Sequence, residues 1–231
     1  MLKPLLLFIF ICMPQWAVTA TLTGSLVYEG PIPNLPLIMM SGDKSCHKGP
    51  VASEKLVLGP NRQLANVLVY IKSGFPKTSF PIPSKPVTLS QVGCMYRPHV
   101  IALQVGQTLR ITNPDGTLHN VHMMPSRNPQ LNIAMPGAVK STTKVFQNED
   151  IMFPVKCDVH PWMEGYISVV AHPFFQVTGK SGHYELSNLP AGTYELEAVH
   201  EKLGRQTIRV RVGNTDHKTV NFTFSISRLG K

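Results

Sequence analysis

Short runs of alternating or β-branched residues, each closed by a turn-forming cluster, constrain this chain more than any other feature. Residues 23–28, 66–72, 107–112, 166–170, 193–198, 207–212 and 219–224 have this character and read as strands. Between them stand Glu29-Gly30-Pro31, Asn113-Pro114-Asp115-Gly116, Gly179-Lys180-Ser181-Gly182 and Leu189-Pro190-Ala191-Gly192, clusters whose residue types set turns. No stretch combines a helical period with caps at both ends. The expectation is an all-β protein, most simply two small sandwiches. The proline-dense stretch 76–86 reads as an extended connector, and a second seam falls near His172-Pro173.

The first 20 residues carry one early charge, Lys3, then an apolar run over 5–13 and small residues Val18 and Ala20 at a cleavage point. This is the pattern of a secretory leader. The run is too short to span a bilayer, and no later stretch is apolar for the roughly 20 residues a span needs. A soluble, exported protein of the periplasm is expected. Cys12 follows Phe10 and Ile11, without the small residues that would mark it for a lipid anchor. The formal net charge is +9, which suits acidic partners or anionic surfaces. Its Lys and Arg residues are scattered singly, without a run or an aromatic stripe, which argues against nucleic acid.

Beyond the leader the chain keeps Cys46, Cys94 and Cys157, an odd number for a compartment in which thiols oxidise. A Cys46–Cys94 bridge would leave Cys157 as a thiolate for a metal. A Cys94–Cys157 bridge would leave Cys46 unexplained.

Cys157, His160 and Met163 lie three residues apart just after the apolar run 151–155. A tight loop can turn thiolate, imidazole and thioether to one point, a set that suits copper in both its cuprous and cupric states. A second imidazole is available from His119 or His122, which an extended strand sends to opposite faces. His119 follows the turn at 113–116 and is the expected ligand. His122 is expected to be packed or at the surface. Met123, Met124 and Met135 offer a second cuprous site, although such methionines more often fill cores. Asp158 and Glu164 put carboxylates near the loop, where they either orient a partner or are simply solvated.

With these residues in place, His119-Asn120-Val121-His122 followed by Cys157, His160 and Met163 resembles the cupredoxins, and among them the amicyanin type, which shares the loop spacing. The stretch 96–113 looks like the strand, Val-Gly turn and strand that precede the first histidine in that family. The resemblance covers residues 87–171. It implies a Greek-key sandwich in which His119, Cys157 and His160 form the equatorial plane of one type 1 copper ion and Met163 is the weak axial ligand. Asn120 would hold the ligand loops together, and the exposed edge of His160, beside Pro161 and Trp162, would be the electron port. The flanks, residues 21–86 and 172–231, look like two halves of a carboxypeptidase regulatory-like, prealbumin-type sandwich into which the copper domain is inserted. Fold alone assigns that module no chemistry.

These readings imply an exported one-electron carrier serving a partner such as a c-type cytochrome or a dehydrogenase. The alternative is a protein for copper storage, delivery or sensing. An enzyme is not expected: four ligands leave no open coordination position, and no G-x-S-x-G or H-E-x-x-H signature accompanies His200-Glu201. His47, His99, His172, His183, His200 and His217 lack partners at ligand spacing.

Overall fold

The computed structural model describes residues 19–40, 43–46, 49–75 and 79–226. Residues 1–18 of the expected leader, His47, and residues 76–78 of the proline-dense connector lie outside the described residues. The protein is all-β. In chain order the strands are β1 (Ala20–Tyr28), β2 (Leu68–Ser73), β3 (Val87–Gln91), β4 (Tyr96–Arg97), β5 (Val100–Gln104) and β6 (Thr108–Thr112). There follow β7 (His119–Met123), β8 (Leu131–Met135), β9 (Ser141–Val145), β10 (Asp150–Lys156), β11 (Glu164–Val170) and β12 (Phe175–Val177). The last are β13 (His183–Leu189), β14 (Gly192–His200), β15 (Gly204–Val212), β16 (His217–Thr219) and β17 (Phe222–Phe224).

These strands form two pairs of sheets. One pair has the order β13-β1-β16, with β17 also on β1, facing β12-β2-β14-β15. The other has β5-β11-β10-β7-β8 facing β4-β3-β6-β9. The first pair draws its strands from both ends of the chain and the second from the middle. Each pair encloses its own apolar core.

β2 explains how the pairs meet. Its run Leu68 to Ile71 is buried on both faces, as a continuous apolar strand requires. Val69 and Ile71 point into the first core. Leu68 and Tyr70 point the other way, against Val170, Val199, Ala102, Ile151 and Met152. The four sheets thus stack as layers, with this third cluster between the pairs. Polar groups close the same boundary: Glu201, its side chain wholly buried, accepts from His99 Nε2 at 2.6 Å. Glu197 accepts from the Tyr70 hydroxyl at 2.8 Å and from Lys72 at 2.7 Å.

Two details depart from a simple reading of strand runs. The run 219–224 is broken into β16 and β17, and Asn221 Oδ1 takes the amide of Ser25 across the gap. Gly24 lies opposite: a Cβ there would sit 1.9 Å from the Val220 carbonyl oxygen, so only glycine admits this close approach. The segment between β1 and β2 also crosses the boundary. Met40 and Cys46 are buried in the second core, although they precede the connector in the chain.

His172 and His200, unassigned by spacing, are buried in polar frameworks. His172 donates from Nε2 to the Ile71 carbonyl at 2.6 Å and accepts the Phe174 amide. His200 Nδ1 accepts the amides of Lys202 and Leu203 at 3.1 and 3.2 Å, which requires the neutral ring. Burial pulls its pKa from 6.5 down to about 4, against the opposing pull of Glu201. The unfolded chain therefore takes up this proton at higher pH than the folded one. Stability should be full above about pH 6.5 and fall by up to about 3 kcal/mol as pH drops to about 4. Denaturant midpoints at pH 7 and 4.5 measure this fall. In His200→Asn, whose side-chain oxygen can still accept the amides, the fall should flatten; an unchanged fall would assign it to other groups.

Candidate metal centre

The candidate ligand loop is the connection between β10 and β11. Lys156 pairs with Glu164 at its base, and the loop is tied internally by Cys157 N–H to the Met163 carbonyl (3.2 Å) and Met163 N–H to the His160 carbonyl (2.9 Å). Pro161 occupies the second position of the four-residue turn closed by the latter bond, where its fixed φ is favourable. The hydroxyl of Tyr96 laces β7 to the end of β10, donating towards both the Asn120 carbonyl (2.5 Å) and the Lys156 carbonyl (3.0 Å).

On β7 the alternation separates the two histidines. His119 is wholly buried, whereas the His122 side chain is 28% exposed and meets Asp158 Oδ1 at 3.2 Å. Asp158 also accepts from Asn132, so this carboxylate is engaged in the loop's outer face. Glu164 accepts from the Tyr166 hydroxyl at 3.0 Å. Met123 and Met135 are core residues, and Met135 Sδ accepts from Gln91 Nε2 at 3.1 Å.

His119, Cys157 and His160 converge. Their donor atoms lie within 4.8 Å of one another, with the two Nδ1 atoms 3.1 Å apart and Cys157 Sγ 3.9 Å from His160 Nδ1. Two nitrogens about 2.0 Å from a shared ion and roughly 100° apart would be separated by about 3.1 Å, so the pair fits one cation. Cys157 Sγ accepts the amides of Asn120 (3.3 Å) and His160 (3.4 Å). Asn120 Oδ1 in turn accepts the Asp158 amide at 3.1 Å. Met163 is fully buried in the same core.

The outer nitrogens of both rings carry carboxylates. Asp115 Oδ2 lies 2.8 Å from His119 Nε2 and Asp43 Oδ2 lies 2.9 Å from His160 Nε2. Each carboxylate is placed to accept from Nε2–H, which leaves Nδ1 of both rings facing inward, the orientation a metal would need. Bonds from the Ser45 hydroxyl, His160 and the Ser45 amide hold the Asp43 carboxyl well below the usual carboxylate range. For Asp115, burial opposes ionisation but is outweighed by the Cys94 amide, His119 and the Gly93 amide, and its pKa is lowered. The pKa of His119 is lowered by burial, with Asp115 pulling the other way.

Cys46 and Cys94 are joined by a disulfide. Their sulfurs also lie near His160, and Cys94 lies near Asp115 and His119; as a disulfide, however, they offer no thiolate. Cys157 is the free cysteine among the described residues. The expected open edge at His160 is corrected by this arrangement. His160 is 2% exposed, because Asp43, the disulfide (Cys46 Sγ at 3.6 Å from Nε2) and the Trp162 ring (centroids 5.1 Å apart) cover it.

Sequence reasoning did not find Asp43 and Asp115 as partners of the centre. Asp115 was visible only as part of a turn. Asp43 stands three residues before Cys46, so the disulfide is the signal that could have carried it to the site.

No family model and no curated protein matches this chain. Among solved structures, a purple cupredoxin from Nitrosopumilus maritimus is similar at 22% identity over 36% of this chain and 97% of that one, with a TM-score of 0.29. A copper-containing nitrite reductase from Thermus scotoductus is similar at 22% identity over 42% of this chain and 25% of that one, TM-score 0.33. An amicyanin variant in its Cu(I) form is similar at 18% identity over 44% and 97%, TM-score 0.32.

The two faces of β7 give a direct contrast. His119→Ala should lower copper affinity at least about 100-fold, since loss of even an outer partner costs about 10–100-fold. His122→Ala should leave it within about fivefold, its partly exposed contact being worth about 1 kcal/mol or less. Chelator competition reads both, and the reverse order would make His122 the ligand.

Proposed function

We propose that this chain is an exported type 1 copper protein that carries single electrons, in which His119, Cys157, His160 and Met163 would hold one copper ion. The observation that carries this reading is the convergence of two buried imidazole nitrogens and one cysteine sulfur within 4.8 Å of one another. Thiolate and thioether suit the cuprous ion and imidazole also the cupric one. The bound metal would supply one-electron chemistry between these two states. The rest is done by the chain: the carboxylates fix the rings, the amides of Asn120 and His160 hold the sulfur, and the core excludes water. A framework that holds one geometry needs little rearrangement between oxidation states.

On the same reading, residues 87–171 form a cupredoxin-like module inserted into a carboxypeptidase regulatory-like sandwich made of residues 21–86 and 172–231. The Cys46–Cys94 disulfide suits an oxidising compartment, in keeping with a cleaved leader over residues 1–20 and a periplasmic location. The partner would be a redox protein such as a c-type cytochrome or a dehydrogenase. With four ligands on one ion, the centre offers no position for a substrate, and we read the chain as a carrier and not an enzyme.

A second reading, copper storage, delivery or sensing, draws on one observation: the strap that covers His160 removes the edge expected to pass electrons. A carrier should keep its copper through repeated oxidation and reduction in the presence of a chelator, whereas a delivery protein should lose it. The visible spectrum after loading with cupric ion tests the centre itself. An intense thiolate-to-copper band should appear, bleach on mild reduction and return on reoxidation. Cys157→Ser should abolish it in a protein that still folds. Copper binding without the band would take Cys157 out of the site and favour the second reading.

A further inference from the structure

We propose that Asp43 is a positioning residue for His160, supplied to the metal centre from the segment that precedes β2. The inference rests on the ligand set proposed above. Asp43 and His160 are 117 residues apart in the chain, yet Oδ2 of the one lies 2.9 Å from Nε2 of the other. The carboxylate is itself held. Oδ2 also accepts from Thr117 Oγ1 at 3.3 Å, while Oδ1 accepts the Ser45 amide at 2.8 Å and the Ser45 hydroxyl. One turn later Cys46 anchors the segment to Cys94, which in turn follows Gly93 and shares the Asp115 carboxylate with His119.

This arrangement acts on the metal through the ring. A carboxylate that accepts from Nε2–H excludes the tautomer with its proton on Nδ1, leaving the Nδ1 lone pair free for a ligand bond, and makes that nitrogen a stronger donor. Asp115 does the same for His119 from within the turn before β7. Asp43 does it from outside the strands that carry the ligands, so the centre depends on the flanking segment for the orientation of one of its imidazoles. A stronger nitrogen donor favours the cupric over the cuprous ion. Asp43 therefore lowers the reduction potential, in addition to covering the ring.

The test has two arms on the full mature chain. The first uses metal-free protein labelled with 15N at histidine, at a fixed neutral pH. Side-chain spectra should place a proton on His160 Nε2 in the wild type, and in Asp43→Ala the ring should populate the Nδ1–H tautomer. A wild-type ring with a bare Nε2, or the same ring state in both proteins, would overturn the proposal. The second arm measures the reduction potential of copper-loaded Asp43→Asn, which keeps an acceptor of similar size but removes the charge. The preference for cupric over cuprous copper should fall about tenfold, equivalent to a rise of about 59 mV. An unchanged or lowered potential would contradict it. If neither protein develops the Cys157-copper band, the ligand set fails; the metal-free spectra still decide the role of Asp43.

Discussion

Two buried imidazole nitrogens stand 3.1 Å apart beside a cysteine sulfur, close enough to share one proton or one cation. A soft cation would engage all three donor atoms at once, whereas a proton could join only two of them. The rest of the centre holds this close approach in place. Asp115 and Asp43 turn the rings, amides of Asn120 and His160 hold the sulfur, and the base pair Lys156–Glu164 closes the loop on which Cys157, His160 and Met163 stand.

The stacking of sheets gives this enforcement its rigidity. β2 is buried on both faces, so the sandwich built from the chain ends is fixed to the sheet that carries β10 and β11. The same chain end that contributes β1 then passes over the ligand loop, leaving Asp43 against His160 and Cys46 bonded to Cys94. The segment between β1 and β2 is thus more than a passive connection: through one carboxylate and one disulfide it completes the surroundings of a histidine in the other pair of sheets.

The strands were legible because alternation and β-branching are local signals. β1, β11, β14 and β15 each contain a run read from the sequence, and β2 and β6 overlap the runs 66–72 and 107–112. The split of residues 219–224 was not legible, since it arises from the close approach of Gly24 to Val220. At the centre, the parity of 119 and 122 on a strand and the three-residue spacing of the loop could be read directly. The carboxylates could not, because Asp43 reaches His160 through a segment with no periodicity and a closure of 117 residues. For the same reason His160 was expected to be open. What covers it comes from a part of the chain that no local pattern connects to the loop.

The most direct measurement of the central claim is X-ray absorption at the copper edge of the oxidised, copper-loaded full chain. The account predicts a first shell of one short sulfur bond from Cys157 and two imidazole nitrogens from His119 and His160. A shell of nitrogen and oxygen alone would contradict it, because the cation would then lie away from the point at which these three side chains meet.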